Sequence, residues 1–194
     1  IREIRRQVDM AVCVSFGLLE ERQFRKLKEA GASRVHCNLE VSRKYFPKVC
    51  TTHTYDEKIA VLKAAKSAGL SICSGGIMGL GETMEDRIDM ALDIRALGVK
   101  SVPVNLLNPI KGTPYEKNEI LTDEVFCRIL AIYRFLIPDA DIRLAGGRGL
   151  MADKGERCFQ SGANAAISGD MLTTAGITVA TDLALLKKLG YDVK

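Results

Sequence analysis

Short apolar runs alternate with longer amphipathic ones along this chain, and that rhythm restricts the fold more than any other feature. Met10 to Phe16 is free of charge and rich in valine, as a strand should be. Glu20 to Ala30 follows with Phe24 and Leu27 three apart and Gly31 as a stop, the pattern of an amphipathic helix. The pairing repeats. Arg34–Leu39, Ser71–Ser74, Ser101–Leu107, Ile142–Ala145 and Ala165–Ser168 read as strands. Tyr55–Ala68, Thr83–Leu97, Thr122–Ile137, Lys154–Gly162 and Asp182–Leu189 read as helices. Thr83 is an expected N-cap, and Thr122 is followed by acidic residues in its first turn. Asn108 to Glu119, with Pro109, Gly112 and Pro114, reads as a loop.

Six βα units in series predict a parallel sheet covered by helices. The count alone leaves two architectures open. An open doubly wound sheet accommodates six units, whereas a closed (β/α)₈ barrel needs eight. At 194 residues, with no repeat, linker or low-complexity tract, one domain over residues 1–194 is expected. Acidic and basic residues are interspersed and the net charge is only +4, so a nucleic-acid partner is not expected. No apolar run reaches the roughly 18 residues of a membrane span. The chain opens on a charged Ile1-Arg2-Glu3-Ile4-Arg5-Arg6 stretch without a starting Met, so truncation is expected. Six cysteines without dense spacing suit reduced thiols in the cytoplasm better than disulfides.

In a parallel α/β protein the chemistry gathers at the C-terminal strand ends. Cys13 lies on the first strand, the second ends in His36-Cys37-Asn38-Leu39-Glu40, and the third in Cys73-Ser74-Gly75-Gly76. Asn105 lies on the fourth and Arg143 on the fifth. Thiols clustered this way point to a soft metal or an iron–sulfur group, with buried structural cysteine as the competing account. The Gly-rich run Gly75 to Thr83 fits either a ligand cradle or a tight strand-to-helix connection.

Gly75-x-Ile77-x-Gly79-x-x-Glu82 resembles the GxIxGxxE motif of the radical S-adenosylmethionine superfamily. The longer strings are similar to the biotin synthase family. They are Cys73 through Thr83, Val102-Pro103-Val104-Asn105, Lys111-Gly112-Thr113-Pro114, Ile142-Arg143-Leu144, Gly147-Arg148, Gly162-Ala163-Asn164 and Leu172-Thr173-Thr174. The resemblance implies an incomplete (β/α)₈ barrel, strands three to eight. It implies sulfur insertion into dethiobiotin to form biotin, using S-adenosylmethionine, a radical-generating [4Fe–4S] cluster and an auxiliary iron–sulfur cluster, [2Fe–2S] or a variant. A flavodoxin or ferredoxin as reductant, a homodimer and a cytoplasmic location come with it.

By the same resemblance, Cys13, Cys73 and Arg143 match auxiliary-cluster ligands. Asn38 and Asn105 match dethiobiotin contacts. Glu40, Lys58, Gly75, Ile77, Gly79 and Glu82 match the cofactor site. Two departures stand out. The family's CxxxCxxC is absent from these 194 residues, so no cofactor cleavage is expected of them alone. Cys37 stands where relatives commonly carry His, and is either a cluster ligand or strand-end packing. Strand alternation puts it on the face opposite Asn38 and Glu40 unless the strand has already ended. Cys127 and Cys158 read as helix core, and Cys50 as a loop residue. Methylornithine synthases and hydrogenase maturases share the barrel and Gly-rich motif but have no need of Cys13, Cys73 and Arg143 together. An inactive fragment, or a phosphate-binding barrel using Gly146-Gly147-Arg148-Gly149, would leave those cysteines unexplained.

Overall fold

A computed structural model describes residues 1–170 and 176–193. The string Leu172-Thr173-Thr174 lies outside the described residues. The chain falls into two compact units. The first holds residues 1–76 and 83–102, the second residues 77–82 and 103–194.

In the first unit, α1 (Arg2–Gln7) precedes β1 (Val12–Val14), α2 (Glu21–Glu29), β2 (Ala32–His36), α3 (Phe46–Val49), α4 (Tyr55–Ser67) and β3 (Ser71–Cys73). α5 (Met84–Ala96) then leads into β5 (Ser101–Leu106), whose first two residues complete the unit. β1, β2 and β3 run parallel, with Val14 beside Val35 and Val35 beside Ile72. That row is buried, and α2 and α4 pack against β2 and β3. Parallel neighbours in register share a face, so the alternate residues Cys13, Arg34, His36 and Cys73 form the opposite row. Fully buried Phe24, Leu62, Met90 and Ile94 supply the core, each contributing about 1.5–3 kcal/mol of transfer free energy.

Thr83 caps α5 as anticipated, and Thr54, which the sequence reading did not single out, caps α4. Thr54 and Thr83 close capping boxes with Glu57 and Asp86, and each box satisfies otherwise orphaned amides.

The second unit contains β4 (Gly76–Met78, entered from the first unit), the rest of β5, α6 (Asp123–Leu136) and β6 (Asp141–Leu144). A 3-10 turn (Arg148–Leu150), α7 (Glu156–Gln160), β7 (Ala165–Ala166) and α8 (Val179–Lys188) follow. β6 and β7 are parallel, and β4 pairs with β5. Phe126, Ile129, Tyr133, Ile142 and Leu144 are fully buried. Arg134 binds the ends of β6 and β7 together. Its guanidinium donates to the carbonyls of Pro138, Ala140 and Gly162 and to Asn164 Oδ1. Asn164 Oδ1 in turn accepts from the Ile142 amide at 2.8 Å. Arg148 and Asp182, both buried, pair at 2.6 Å. Removing either partner would strand a buried charge, at about 3–5 kcal/mol.

Hydrogen-bonded strand order is β1-β2-β3-β5-β6-β7, the serial parallel arrangement the alternation predicts. Several boundaries differ from the sequence reading. β2 stops at His36, three residues short of Leu39. α8 starts at Val179, not Asp182, because Thr178 caps it through the Thr181 amide. α3, β4 and the 3-10 turn are additional short elements.

Candidate functional site

The end of β2 builds the first part of the site. Past His36 the backbone leaves regular pairing but keeps hold of β3. The Cys37 amide donates to the Cys73 carbonyl at 3.0 Å and the Glu40 amide to the Gly75 carbonyl at 3.1 Å. Asn38 Oδ1 accepts from the Gly75 amide at 3.0 Å, and its Nδ2 lies 3.4 Å from Glu40 Oε2. Glu40 adopts φ +70°, in the left-handed region that side-chain-bearing residues avoid.

Cys37, Asn38 and Glu40 all line one hollow of about 180 Å³, together with Lys58 from the first turn of α4, His53 and Ser15. The default alternation argument for Cys37 is therefore corrected. The strand ends before Cys37, and this thiol opens into the same hollow as its neighbours.

Burial raises the Glu40 carboxyl above its ordinary range, opposed by the Lys58 charge and the Asn38 hydrogen bond. Burial also raises the Cys37 thiol, with Lys58 opposing and Glu40 adding to the shift. A carboxylate, an ammonium and an amide around one hollow suit a ligand carrying both hydroxyl and carboxylate groups. Ser15 went unnoticed as a lining residue because nothing in its sequence context marks it. His53 also stands 3.4 Å, through Nδ1, from Cys50 Sγ. Thr52 foremost, with backbone donors nearby, lowers the Cys50 thiol.

Cys13 and Cys73 share the face opposite the helix-packed row. Cys13 is exposed and Cys73 buried, with Cys73 Sγ 3.3 Å from His36 Nδ1. Two thiols on one face are the donor chemistry that iron prefers, and in that respect they fit an iron–sulfur group. Among the described residues, no group of three or more His, Cys, Asp and Glu side chains is arranged to hold a metal ion by itself. In the second unit, Arg143 alternates with fully buried Ile142 and Leu144 and so faces the other side of β6. Asn105 Oδ1 accepts from the Gly146 amide at 2.9 Å.

The Gly-rich run folds into a strand and a turn. Ile77 sits in β4, half-buried. Gly79 at φ +109° and Gly81 at φ +106° carry the turn. Glu82 Oε1 accepts from the Gly79 amide at 2.8 Å, and Asn118 Nδ2 donates to the Gly79 carbonyl at 2.9 Å. Glu82 thus closes the turn on itself.

Comparison with known proteins agrees with this geometry. Residues 1–94 match the model of the Radical SAM superfamily, and residues 103–192 that of the Biotin and Thiamin Synthesis associated domain. The fold is shared with a methylornithine synthase structure, at a TM-score of 0.82 and 17% identity, covering 100% of this chain and 61% of that one. It is also shared with the FeFe-hydrogenase maturase of Carboxydothermus hydrogenoformans, at a TM-score of 0.79 and 17% identity, covering 97% and 49%. The architecture is therefore that of an incomplete parallel α/β barrel, and its first half matches the Radical SAM superfamily.

Along its whole length the chain is also similar to biotin synthases. It is 60% identical to a biotin synthase of Brachyspira hyodysenteriae over 194 residues, covering 100% of this chain and 58% of the relative. It is likewise 60% identical to biotin synthase 2 of Corynebacterium diphtheriae, covering 100% and 58%. The chain thus spans less than two thirds of the length of these relatives.

Proposed function

We propose that this chain is part of a radical SAM enzyme that inserts sulfur into dethiobiotin to form biotin. Identity of 60% along its whole length to curated biotin synthases carries the reading. On this reading residues 1–194 act as parts of one barrel domain in a cytoplasmic, homodimeric enzyme reduced by a flavodoxin or ferredoxin. No helix among the described residues is long and apolar enough to cross a membrane.

S-adenosylmethionine with a [4Fe–4S] cluster would supply a carbon-centred radical, and an auxiliary cluster, [2Fe–2S] or a variant, the sulfur. Hydrogen abstraction from an unactivated carbon is beyond side-chain acid–base chemistry, so such groups must carry it. The chain's own residues bind and orient. Cys13, Cys73 and Arg143 would hold the auxiliary cluster, with Cys37 as a further donor. A thiol raised by burial must release its proton to solvent before its sulfur can bind a metal, which makes loading of Cys37 proton-linked. Glu40 would accept from the cofactor's ribose hydroxyls, and Lys58 would meet its carboxylate as a point charge. Gly75, Ile77, Gly79 and Glu82 would shape the adenosine cradle. Asn38 and Asn105 would contact dethiobiotin through their amide N–H groups, since each Oδ1 is already engaged by a backbone amide.

The test is anaerobic reconstitution of the whole protein with iron, sulfide, S-adenosylmethionine and a reductant, followed by assay of biotin from dethiobiotin. Cys73→Ser should lower iron and sulfide per chain and abolish biotin formation while cofactor binding persists. Asn105→Ala should raise the dethiobiotin concentration needed for half-maximal turnover at least tenfold. Full biotin formation by Cys73→Ser would sink the assignment. Cys37→Ala decides that residue separately: unchanged iron, sulfide and turnover would leave it as packing.

A further inference from the structure

The second unit holds a sulfur cluster that the proposed reaction does not use. Cys127 on α6 and Cys158 on α7 stand with their Sγ atoms 3.8 Å apart. Cys158 is fully buried, and its Sγ also lies 3.6 Å from Met151 Sδ. Cys127 is only half-buried and both thiols are free. Read singly, each is a small apolar residue packed between helices. Read as a pair, one residue is partly exposed and the other lies buried against it.

We propose that Cys127 and Cys158 form a redox modification site, a dithiol that a low-molecular-weight disulfide converts to a bond tying α7 to α6. A disulfide needs an S–S distance of about 2.05 Å. Closing the gap from 3.8 Å asks a movement of about 1.8 Å, within the roughly 3 Å that a change of χ1 rotamer moves a cysteine sulfur.

Accessibility sets the order of steps. Burial, with Cys127 adding to it, raises the Cys158 thiol far above its ordinary value, so Cys158 waits protonated. The Cys127 thiolate attacks one sulfur of the small disulfide. That S–S bond breaks, one small thiolate leaves, and a mixed disulfide forms on Cys127. Cys158 then gives its proton to the departing small thiolate and attacks Cys127 Sγ, releasing the second small thiol. Two protein thiols are oxidised and one disulfide is reduced to two thiols, so electrons and protons balance. The bond would hold the short helix α7, five residues long, against α6.

The whole protein is incubated anaerobically with oxidised glutathione, quenched with acid and N-ethylmaleimide, and mapped with trypsin without reduction. The expected product joins peptide 118–128, containing Cys127, to peptide 158–187, containing Cys158. Cys158→Ala should leave a stable glutathione adduct on Cys127. Cys127→Ser should leave Cys158 as a free thiol. The proposal is overturned if both residues stay maleimide-reactive after unfolding while Cys13 or Cys50 carries glutathione, or if Cys127 pairs with another cysteine. Should Cys158→Ala fail to fold, the unsubstituted protein and Cys127→Ser decide the matter between them.

Discussion

The turn after β2 and the turn after β4 solve the same backbone problem with opposite residues. Both pass through the left-handed region. The second does so with Gly79 and Gly81, the first with Glu40 at φ +70°. An L side chain in that conformation costs about 1–2 kcal/mol, which glycine avoids. At Gly79 both backbone groups are held within the fold, the amide by Glu82 and the carbonyl by Asn118. Glu40 sits where a carboxylate enters a hollow beside Lys58 and Asn38. The contrast separates a turn that offers its backbone, relaxed by glycine, from a turn strained to present a side chain.

Gly76 is the hardest test of that contrast, because it bridges to Glu40 in register. A Cβ there would come within 2.4 Å of the Glu40 carbonyl oxygen and 2.6 Å of Met90 Sδ and Cε. The backbone oxygen has no rotamer with which to escape. Gly76→Ala should destabilise by about 3 kcal/mol, lowering Tm by roughly 6–12 °C. A change under about 2 °C in a thermal melt would show that Gly76 is not locked against the Glu40 turn.

Ser42 and Asp86 supply a second tie, and it is electrostatic. Ser42 follows the Glu40 turn, and its hydroxyl donates to Asp86 Oδ1 at 2.6 Å. Asp86 Oδ2 accepts from the amide and hydroxyl of Thr83 at 2.9 and 2.8 Å. Ser42, ahead of the Thr83 donors, holds the Asp86 carboxyl below its ordinary value. A depressed folded-state pKa adds stability above the unfolded value, about 3.9, and that stability fades as pH falls through the folded one. Ser42→Ala should cost about 2 kcal/mol at pH 7, with a smaller difference from the parent near pH 3. Melts across pH check both, and a penalty that does not shrink in acid would reassign the loss to packing.

The parts of this molecule that are local were legible in the sequence. Threonine caps followed by acidic residues, glycine stops and valine-rich runs depend on neighbours within a few positions. Thr83–Asp86 formed the box its spacing suggests. Readings failed where the cause was distant. β2 ends at His36, so the parity argument for Cys37 lapsed, and no signal within residues 34–40 announces that end. β4 hides in the Gly-rich run because glycine weakens a strand pattern. α8 was shortened in the reading because Val179 and Thr181 are β-branched and weigh against a helix, while the Thr178 cap decided otherwise. The Cys127–Cys158 contact joins positions 31 apart, a separation at which single-sequence periodicity says nothing. At the site, the family resemblance chose the residues, but not that Asn38, Asn105 and Glu82 each spend an oxygen on a backbone amide.

The smallest expected effect is the most informative, because the two turns should respond with opposite signs. Gly79→Ala forces a Cβ into φ +109° and within 3.3 Å of Leu107 Cβ, so it should destabilise by about 1–2 kcal/mol. Glu40→Gly releases the strain of about 1–2 kcal/mol but adds unfolded-state freedom worth about 0.4–1 kcal/mol. It also removes a carboxyl that burial already disfavours in its charged form. Its net should be neutral to a gain of about 1.6 kcal/mol, the difference of those two estimates. Function should move the other way. Without the carboxylate, binding of S-adenosylmethionine to the whole protein, measured by calorimetry, should weaken at least tenfold, and Glu40→Gln, which keeps the strain and an amide oxygen, should weaken it less. If Glu40→Gly instead lowers Tm by several degrees, Glu40 is a structural residue, and its unusual backbone serves the turn and not the ligand.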